Sequence, residues 1–273
     1  MPSWASTESW RVPRRRVGWS AADDWSRSFS AVVTAAGRSL DTCLLAWDRA
    51  LDDIGGDPSR ENWENFRPLR LSREEDWSDW LGHLLTSSLN GRFPARLLAG
   101  DVLQAEKWRV SSAEREKPAG TYRADLVVHF TDRWVHIEVK IGDLDLAKTP
   151  DTTEALRSVV VGKFMGDYLL LPAADLGYWD DEKKRLKGRA DTITTLTWLD
   201  VAKALRASVL ERAPELLRWR VWAFTFLGAV EQRLLGFPHV GKDDIKLDKY
   251  RPRGVDVERV RLLEELLPLK EQS

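Results

Sequence analysis

The chain contains a single cysteine, Cys43, among its 273 residues, so it cannot form an internal disulfide. A lone cysteine also excludes a Cys-pair zinc site, and it is typical of a reducing compartment, so we expect a cytoplasmic protein. No run of roughly 18 apolar residues is present, so no membrane span is expected. The N-terminus carries arginines but lacks the apolar core of a signal peptide. These absences, with 43% hydrophobic and 31% charged residues, indicate a globular protein.

The chain also lacks an excess of basic residues, because 42 Lys and Arg face 43 Asp and Glu for a net charge of −1. Proteins that bind nucleic acids usually carry a basic footprint, so any such binding would need a local patch or a partner. The densest basic run lies in residues 180–189, which we expect to form a polar loop. Its residues are candidates for phosphate contacts, with a solvated loop as the alternative: Lys183, Lys184, Arg185, Lys187 and Arg189.

Residues 123–140 contain two runs of alternating apolar and polar residues around a polar break at Thr131 and Asp132. This pattern predicts a β-hairpin. A loop of those two residues places Asp125 directly opposite Glu138, with Lys140 on the same face. The other face is apolar and predicts a core contact: Leu126, Val128, Phe130, Val135, Ile137 and Val139.

The polar face of this hairpin has the chemistry of a metal site. Cβ atoms of directly opposed residues lie roughly 4.5–5.5 Å apart, so one cation could contact both Asp125 and Glu138. Carboxylate oxygens suit Mg²⁺ or Mn²⁺, and a lysine such as Lys140 can orient a water or stabilise charge on a phosphate. The alternative is a surface ion pair on a solvated strand. His129 and His136 share this face, and we expect them to be exposed or locally hydrogen-bonded, with a place beside the site as the alternative.

At these residues the chain resembles the PD-(D/E)XK nuclease superfamily. Asp125 and Glu138-Val139-Lys140 match its motif residue by residue, although Ala124 stands where the proline would be. The resemblance implies a restriction-endonuclease-like fold and Mg²⁺-dependent cleavage of phosphodiester bonds. It also implies that the Val139 carbonyl and an acid in the first turn of an earlier helix support the metal.

The best match for that acid is Glu75, with Glu74 in reserve. Ser72 and Glu75 fit a capping box at the start of a helix. The alternative to a role at the metal is therefore that Glu75 only caps its own helix. The apolar stripe that follows marks one face of this helix: Trp77, Trp80, Leu81, Leu84 and Leu85.

The remaining patterns predict an α/β fold, a mixed central sheet flanked by helices with an N-terminal helical extension. We expect an irregular segment over 1–20, the helical extension over 21–71, the nuclease-like domain over 72–240 and a charged C-terminal helix over 241–273. Further strands are predicted over 106–111, 167–172 and 192–198, and further helices over 149–161, 199–210, 219–235 and 255–267.

The sequence therefore favours a metal-dependent DNA endonuclease that uses Mg²⁺ or Mn²⁺. The resemblance also suggests a role in prokaryotic defence. DNA is preferred over RNA, although no sequence feature separates the two. A protein partner or a homo-oligomer is left open. The alternative is a catalytically silent or conditional nucleic-acid-binding or assembly subunit with a nuclease-like fold.

Overall fold

The computed structural model describes residues 19–54, 56–60, 71–142, 148–211, 215–239 and 254–266. Within these ranges, five strands form one sheet in the order β1-β2-β3-β4-β5. The strands are β1 Ser112–Ala119, β2 Tyr122–His129, β3 Arg133–Val139, β4 Lys163–Leu171 and β5 Ile193–Thr197. The first three strands pair antiparallel, and β3, β4 and β5 pair parallel. The predicted mixed sheet is therefore confirmed.

Eight α-helices are described around this sheet. They are α1 Trp19–Ala50, α2 Glu74–Ser87, α3 Arg92–Ala99, α4 Thr149–Val159, α5 Leu176–Arg185, α6 Trp198–Leu210, α7 Leu217–Ala229 and α8 Gly254–Leu266. A π-helical turn, Val230–Leu234, continues α7. Among the described residues, no helix combines the length and the apolar character needed to cross a membrane.

The hairpin of β2 and β3 has the register that the sequence predicted. Leu126 pairs with Ile137 and His129 with Trp134, and the Phe130 amide donates to the Arg133 carbonyl at 2.8 Å. The loop between the strands is thus Thr131 and Asp132. Because side chains alternate along a strand, this register places Asp125 opposite Glu138.

The two faces of the sheet are covered by different helices. The predicted apolar face of the hairpin packs in the main core, which also contains buried residues of α2, α3, α6 and α7. On the opposite face, Val127 and Trp134 pack with Leu156 of α4, and Leu169 and Leu171 pack with Trp179 of α5. The sheet is therefore buried on both sides, as parallel strands usually are.

Helix α1 shares the main core with this body. Leu44 and Trp47 of α1 are fully buried in it, together with Leu262 and Leu263 of α8. The two helices pack against each other, so the N-terminal helix and the last described helix form one layer.

A fully buried arginine, Arg206 of α6, joins three parts of this helical layer. It donates to Asp57 at 2.8 Å and to Glu231 at 2.7 Å, and its guanidinium lies 4.5 Å from the centre of the Trp47 ring. Buried charges persist only when they are paired in this way. The network therefore links α6 to the segment after α1 and to the π-helical turn.

Two predicted boundaries are wrong near the start of the domain. The first strand is Ser112–Ala119, whereas residues 105–108 form a short 3₁₀ helix, Ala105–Trp108. Helix α2 begins at Glu74 and not after Ser72, because the Asp76 carboxylate accepts the amides of Ser72 and Arg73 at 3.0 Å. Asp76 therefore takes the capping position that the sequence assigned to Glu75.

The predicted polar loop over 180–189 is also wrong in its first half, since α5 extends to Arg185. Trp179 anchors this helix in the core, and the pairs Asp181–Lys184 and Glu182–Arg185 support it at i,i+3 spacing. The helix predicted over 149–161 is α4, which begins at Thr149 after Lys148 as N-cap and ends at Val159. Predictions over 1–18, 61–70, 240–253 and 267–273 lie outside the described residues.

Candidate functional site

The predicted site lies at the C-terminal end of β3. Glu138 and Lys140 are two residues apart on one face of this strand, and they are only 9% and 8% exposed. Charged groups this deeply buried require charged or hydrogen-bonding partners. The surface ion pair considered as an alternative is therefore excluded by burial.

Lys140 is at the centre of the acidic residues. Its Nζ lies 3.0 Å from Glu138 Oε1 and 3.3 Å from Glu74 Oε1. Burial alone would lower the pKa of Lys140, but the charges of Glu138, Asp125 and Glu74 outweigh it and raise that pKa. Lys140 therefore stays protonated and positively charged.

The main chain of Lys140 is held from two sides. Its amide donates to the Leu170 carbonyl at 2.8 Å, and its carbonyl accepts the Trp198 indole N–H at 2.9 Å. These bonds connect the end of β3 to β4 and to the start of α6. The lysine is consequently positioned by the sheet and not by a free loop.

Asp125 faces Glu138 across the hairpin and bonds to the opposite strand. Its Oδ2 accepts the Val139 amide at 2.9 Å. Burial, followed by the neighbouring Glu138 charge, raises the pKa of Asp125 to about 7. Ionised Asp125 and Glu138 therefore repel each other in this buried site, and a cation bound between them would relieve that repulsion.

His136 is the next residue on this face of β3 and is fully buried. Its Nδ1 lies 2.7 Å from Asp167 Oδ1, and its Nε2 lies 3.5 Å from Glu138 Oε2. Burial alone would lower the pKa of His136, but Asp167 and Glu138 raise it to about 9. For Glu138, burial is opposed by His136 and Lys140, and the pKa falls below its usual value.

The structure distinguishes between the two candidate acids on α2. Glu74, the reserve candidate, is the one that contacts Lys140. The Glu75 side chain is 45% exposed and lies 3.7 Å from Arg73. The geometry therefore favours Glu74, which contacts Lys140, and places Glu75 away from the site.

The basic run lies at the end of α5 and in the turn after it. Lys184 pairs with Asp181 at 2.8 Å and Arg185 with Glu182 at 2.9 Å. Arg189 pairs with Asp151 in the first turn of α4, which places the run beside the helix that follows the Lys140 strand. Lys183 is half-buried and Lys187 is exposed. Phosphate binding by these residues stays a prediction.

Two residues near the site have no counterpart in the sequence predictions, Asp167 of β4 and Thr153 of α4. Asp167 accepts the Thr153 hydroxyl and is the β4 neighbour of His136. Such contacts follow from the parallel register of β3 and β4, and the sequence does not reveal that register. His129, by contrast, lies away from these residues, and its Nε2 is 2.8 Å from Glu114 Oε1 of β1.

The donor set is compatible with the predicted cation. Asp125, Glu138 and Glu74 supply hard carboxylate oxygens. Glu138 Oε2 is buried and makes no hydrogen bond, and its neighbour His136 Nε2 lies 3.5 Å away as an ionic contact. Among the residues described, no three Asp, Glu, His or Cys side chains are already gathered as a metal site. The carboxylates instead surround Lys140, and the Val139 carbonyl stays a predicted ligand.

Comparisons with known proteins add no assignment, because no family model, no curated protein and no solved structure matches this chain.

Proposed function

We propose that this protein is a metal-dependent nuclease of the PD-(D/E)XK type that hydrolyses phosphodiester bonds, with DNA as its substrate. The observation that carries the proposal is the arrangement of Asp125 opposite Glu138, with Lys140 held among the acids in the same buried site. The sequence motif alone required these three groups to meet. Their meeting supports the proposal, as does the pKa of Asp125, which is raised to about 7 by burial and by Glu138.

In this proposal Asp125 and Glu138 hold Mg²⁺ or Mn²⁺, with Glu74 in support. A bound divalent ion would lower the pKa of a coordinated water and offset charge on the phosphate oxygens. Lys140 contributes an ammonium group, and the main chain that carries it is held by β4 and α6. Such a group can orient the attacking water and stabilise the growing negative charge.

The substrate assignment rests on the basic run and on the resemblance. Arg189 contacts the first turn of α4, so the basic run lies beside this helix. Helix α4 in turn contacts the site, because its Thr153 donates to Asp167, the partner of His136. Nucleic-acid phosphates could therefore contact this side of the protein. We also propose a role in prokaryotic defence, which is based on the same resemblance to nucleases.

A second candidate function is a nucleic-acid-binding or assembly subunit without constitutive catalysis. The observation that favours it is charge compensation: Lys184, Arg185 and Arg189 are each paired with a nearby acid. The net charge of −1 agrees with this picture. Such a subunit would need a partner to present its substrate.

The experiment compares DNA cleavage by the wild type, Glu138→Gln and Lys140→Met in the presence of Mg²⁺ or Mn²⁺. The matched control is Glu154→Gln on α4, whose side chain is 79% exposed. We expect cleavage by the wild type and the control only, and its loss with a chelator. Equal cutting by all four proteins, or chelator-resistant cutting, would refute the proposal. A wild type that neither cuts DNA nor binds Mg²⁺ or Mn²⁺ would favour the second candidate.

A further inference from the structure

Three side chains follow one another on one side of the chain, His136 and Glu138 on β3 and Lys140 directly after its last residue. His136, Glu138 and Lys140 occupy alternate positions, so His136 and Lys140 lie on either side of Glu138. Each of the two Glu138 oxygens faces one of these neighbours. Oε1 lies 3.0 Å from Lys140 Nζ, and Oε2 lies 3.5 Å from His136 Nε2.

The ring of His136 is fixed from behind. Nδ1 is 2.7 Å from Asp167 Oδ1 and 3.2 Å from the Thr153 hydroxyl. A carboxylate has no proton to donate, so Nδ1–H donates to Asp167. Because the two ring nitrogens point in different directions, this bond directs Nε2 towards Glu138.

Lys140 alone would not fix the Glu138 carboxylate. Its ammonium group is shared between Glu138 and Glu74, and it is carried by a flexible four-carbon chain. His136 is a planar, fully buried ring anchored to β4 and α4. Of the two neighbours of the Glu138 carboxylate, His136 is therefore held more rigidly than Lys140.

We propose that His136 is a positioning residue that sets the orientation of the Glu138 carboxylate, an inference that builds on the proposed role of Glu138 in binding a divalent cation. Asp167 and Thr153 act through the ring by holding it in place. A carboxylate already oriented loses less conformational freedom when it binds an ion. Groups that orient metal-binding side chains in this manner commonly change metal affinity by about 10–100-fold.

Two substitutions of His136 separate this role from a merely structural one. His136→Gln places an amide nitrogen where Nε2 was and can still reach Glu138, whereas His136→Asn mimics Nδ1 and keeps only the bond to Asp167. We expect Mn²⁺ affinity, measured by calorimetry, to be close to wild type in the Gln variant. We expect it to be about 10-fold weaker in the Asn variant. A purely structural role predicts the reverse order or no difference.

The control is Ser88→Ala, which removes a buried hydroxyl donor to Glu215 on the connection after α2. It should lower the stability of the fold without changing Mn²⁺ affinity. Where a His136 variant does not fold, Asp167→Asn is used instead. It weakens the anchor of the ring while retaining His136, and it should weaken Mn²⁺ binding.

Crystal structures of the two His136 variants test the inference independently of activity. In the Asn variant the Glu138 carboxylate should move from its wild-type position, and in the Gln variant it should remain. An unmoved carboxylate in the Asn variant, or equal Mn²⁺ affinity in all proteins, would overturn the inference. Absence of metal binding and cleavage in the wild type would instead overturn the proposed function, and the carboxylate position would still decide the role of His136.

Discussion

Replacement of Asp125 by Asn should stabilise the metal-free protein at alkaline pH. The amide retains an oxygen that can accept the Val139 N–H, so the bond to β3 is preserved. The charge, however, is removed from a buried position next to Glu138. We therefore expect Asp125→Asn to gain stability relative to the wild type as the pH rises.

The magnitude follows from the pKa of Asp125, which burial and Glu138 raise from 3.8 to about 7. Between these values the folded wild type retains a proton that the unfolded chain has lost, so its free energy of unfolding falls as the pH rises. The fall ends near pH 7, where both states are ionised. From pH 5 to pH 8, about two pH units contribute at 1.36 kcal/mol each, or about 2–3 kcal/mol.

The assay is urea unfolding of both proteins at pH 5 and pH 8 in the presence of a chelator. The difference between the two proteins isolates Asp125, because shared groups such as His136 cancel. Asp181→Asn serves as the control, since Lys184 lowers the pKa of that exposed carboxyl. Its difference from wild type should be the same at both pH values. If the stability difference between Asp125→Asn and the wild type is also the same at both pH values, the pKa of Asp125 is not raised by burial and Glu138, and the prediction is refuted.

Two further predictions concern other parts of the molecule. Glu74→Gln should weaken Mn²⁺ binding by about 10-fold in calorimetry, whereas Glu75→Gln should not; the opposite result would return Glu75 to the site. Arg206→Met should lower the free energy of unfolding by about 3–5 kcal/mol, because it leaves buried carboxylates without their charged partner. Urea titration measures this loss. Arg220→Met, whose partner is exposed, should cost at most about 1 kcal/mol, and equal losses in the two variants would contradict the importance of burial.

The hairpin could be predicted from the sequence because its information is local. Alternating residues fix the faces, and the two-residue loop at Thr131 and Asp132 fixes the register. The pairing of Asp125 with Glu138 and the placement of Lys140 follow from these two facts. The opposite apolar face was predicted for the same reason and is confirmed in the core.

Other elements were missed where the local pattern is weak or misleading. Strand β1 consists largely of charged and small residues and has no apolar stripe, so it carries no strand signal. On α2, the cap is at Asp76 and not at Glu75, and Glu74 is the acid that lies beside Lys140. The partnership of His136 with Asp167 joins residues 31 positions apart, and only the parallel pairing of β3 with β4 brings them together.

The packing of α1 against α8 has a consequence for how the protein is made. The ribosome synthesises α1 first and α8 last among the described helices, yet Trp47 and Leu263 are buried in the same core. Contacts this distant in sequence form slowly, because a long loop must close before they are gained. The nascent chain would therefore keep an apolar surface of α1 uncovered until α8 has been synthesised, and during that interval the surface is open to chaperones.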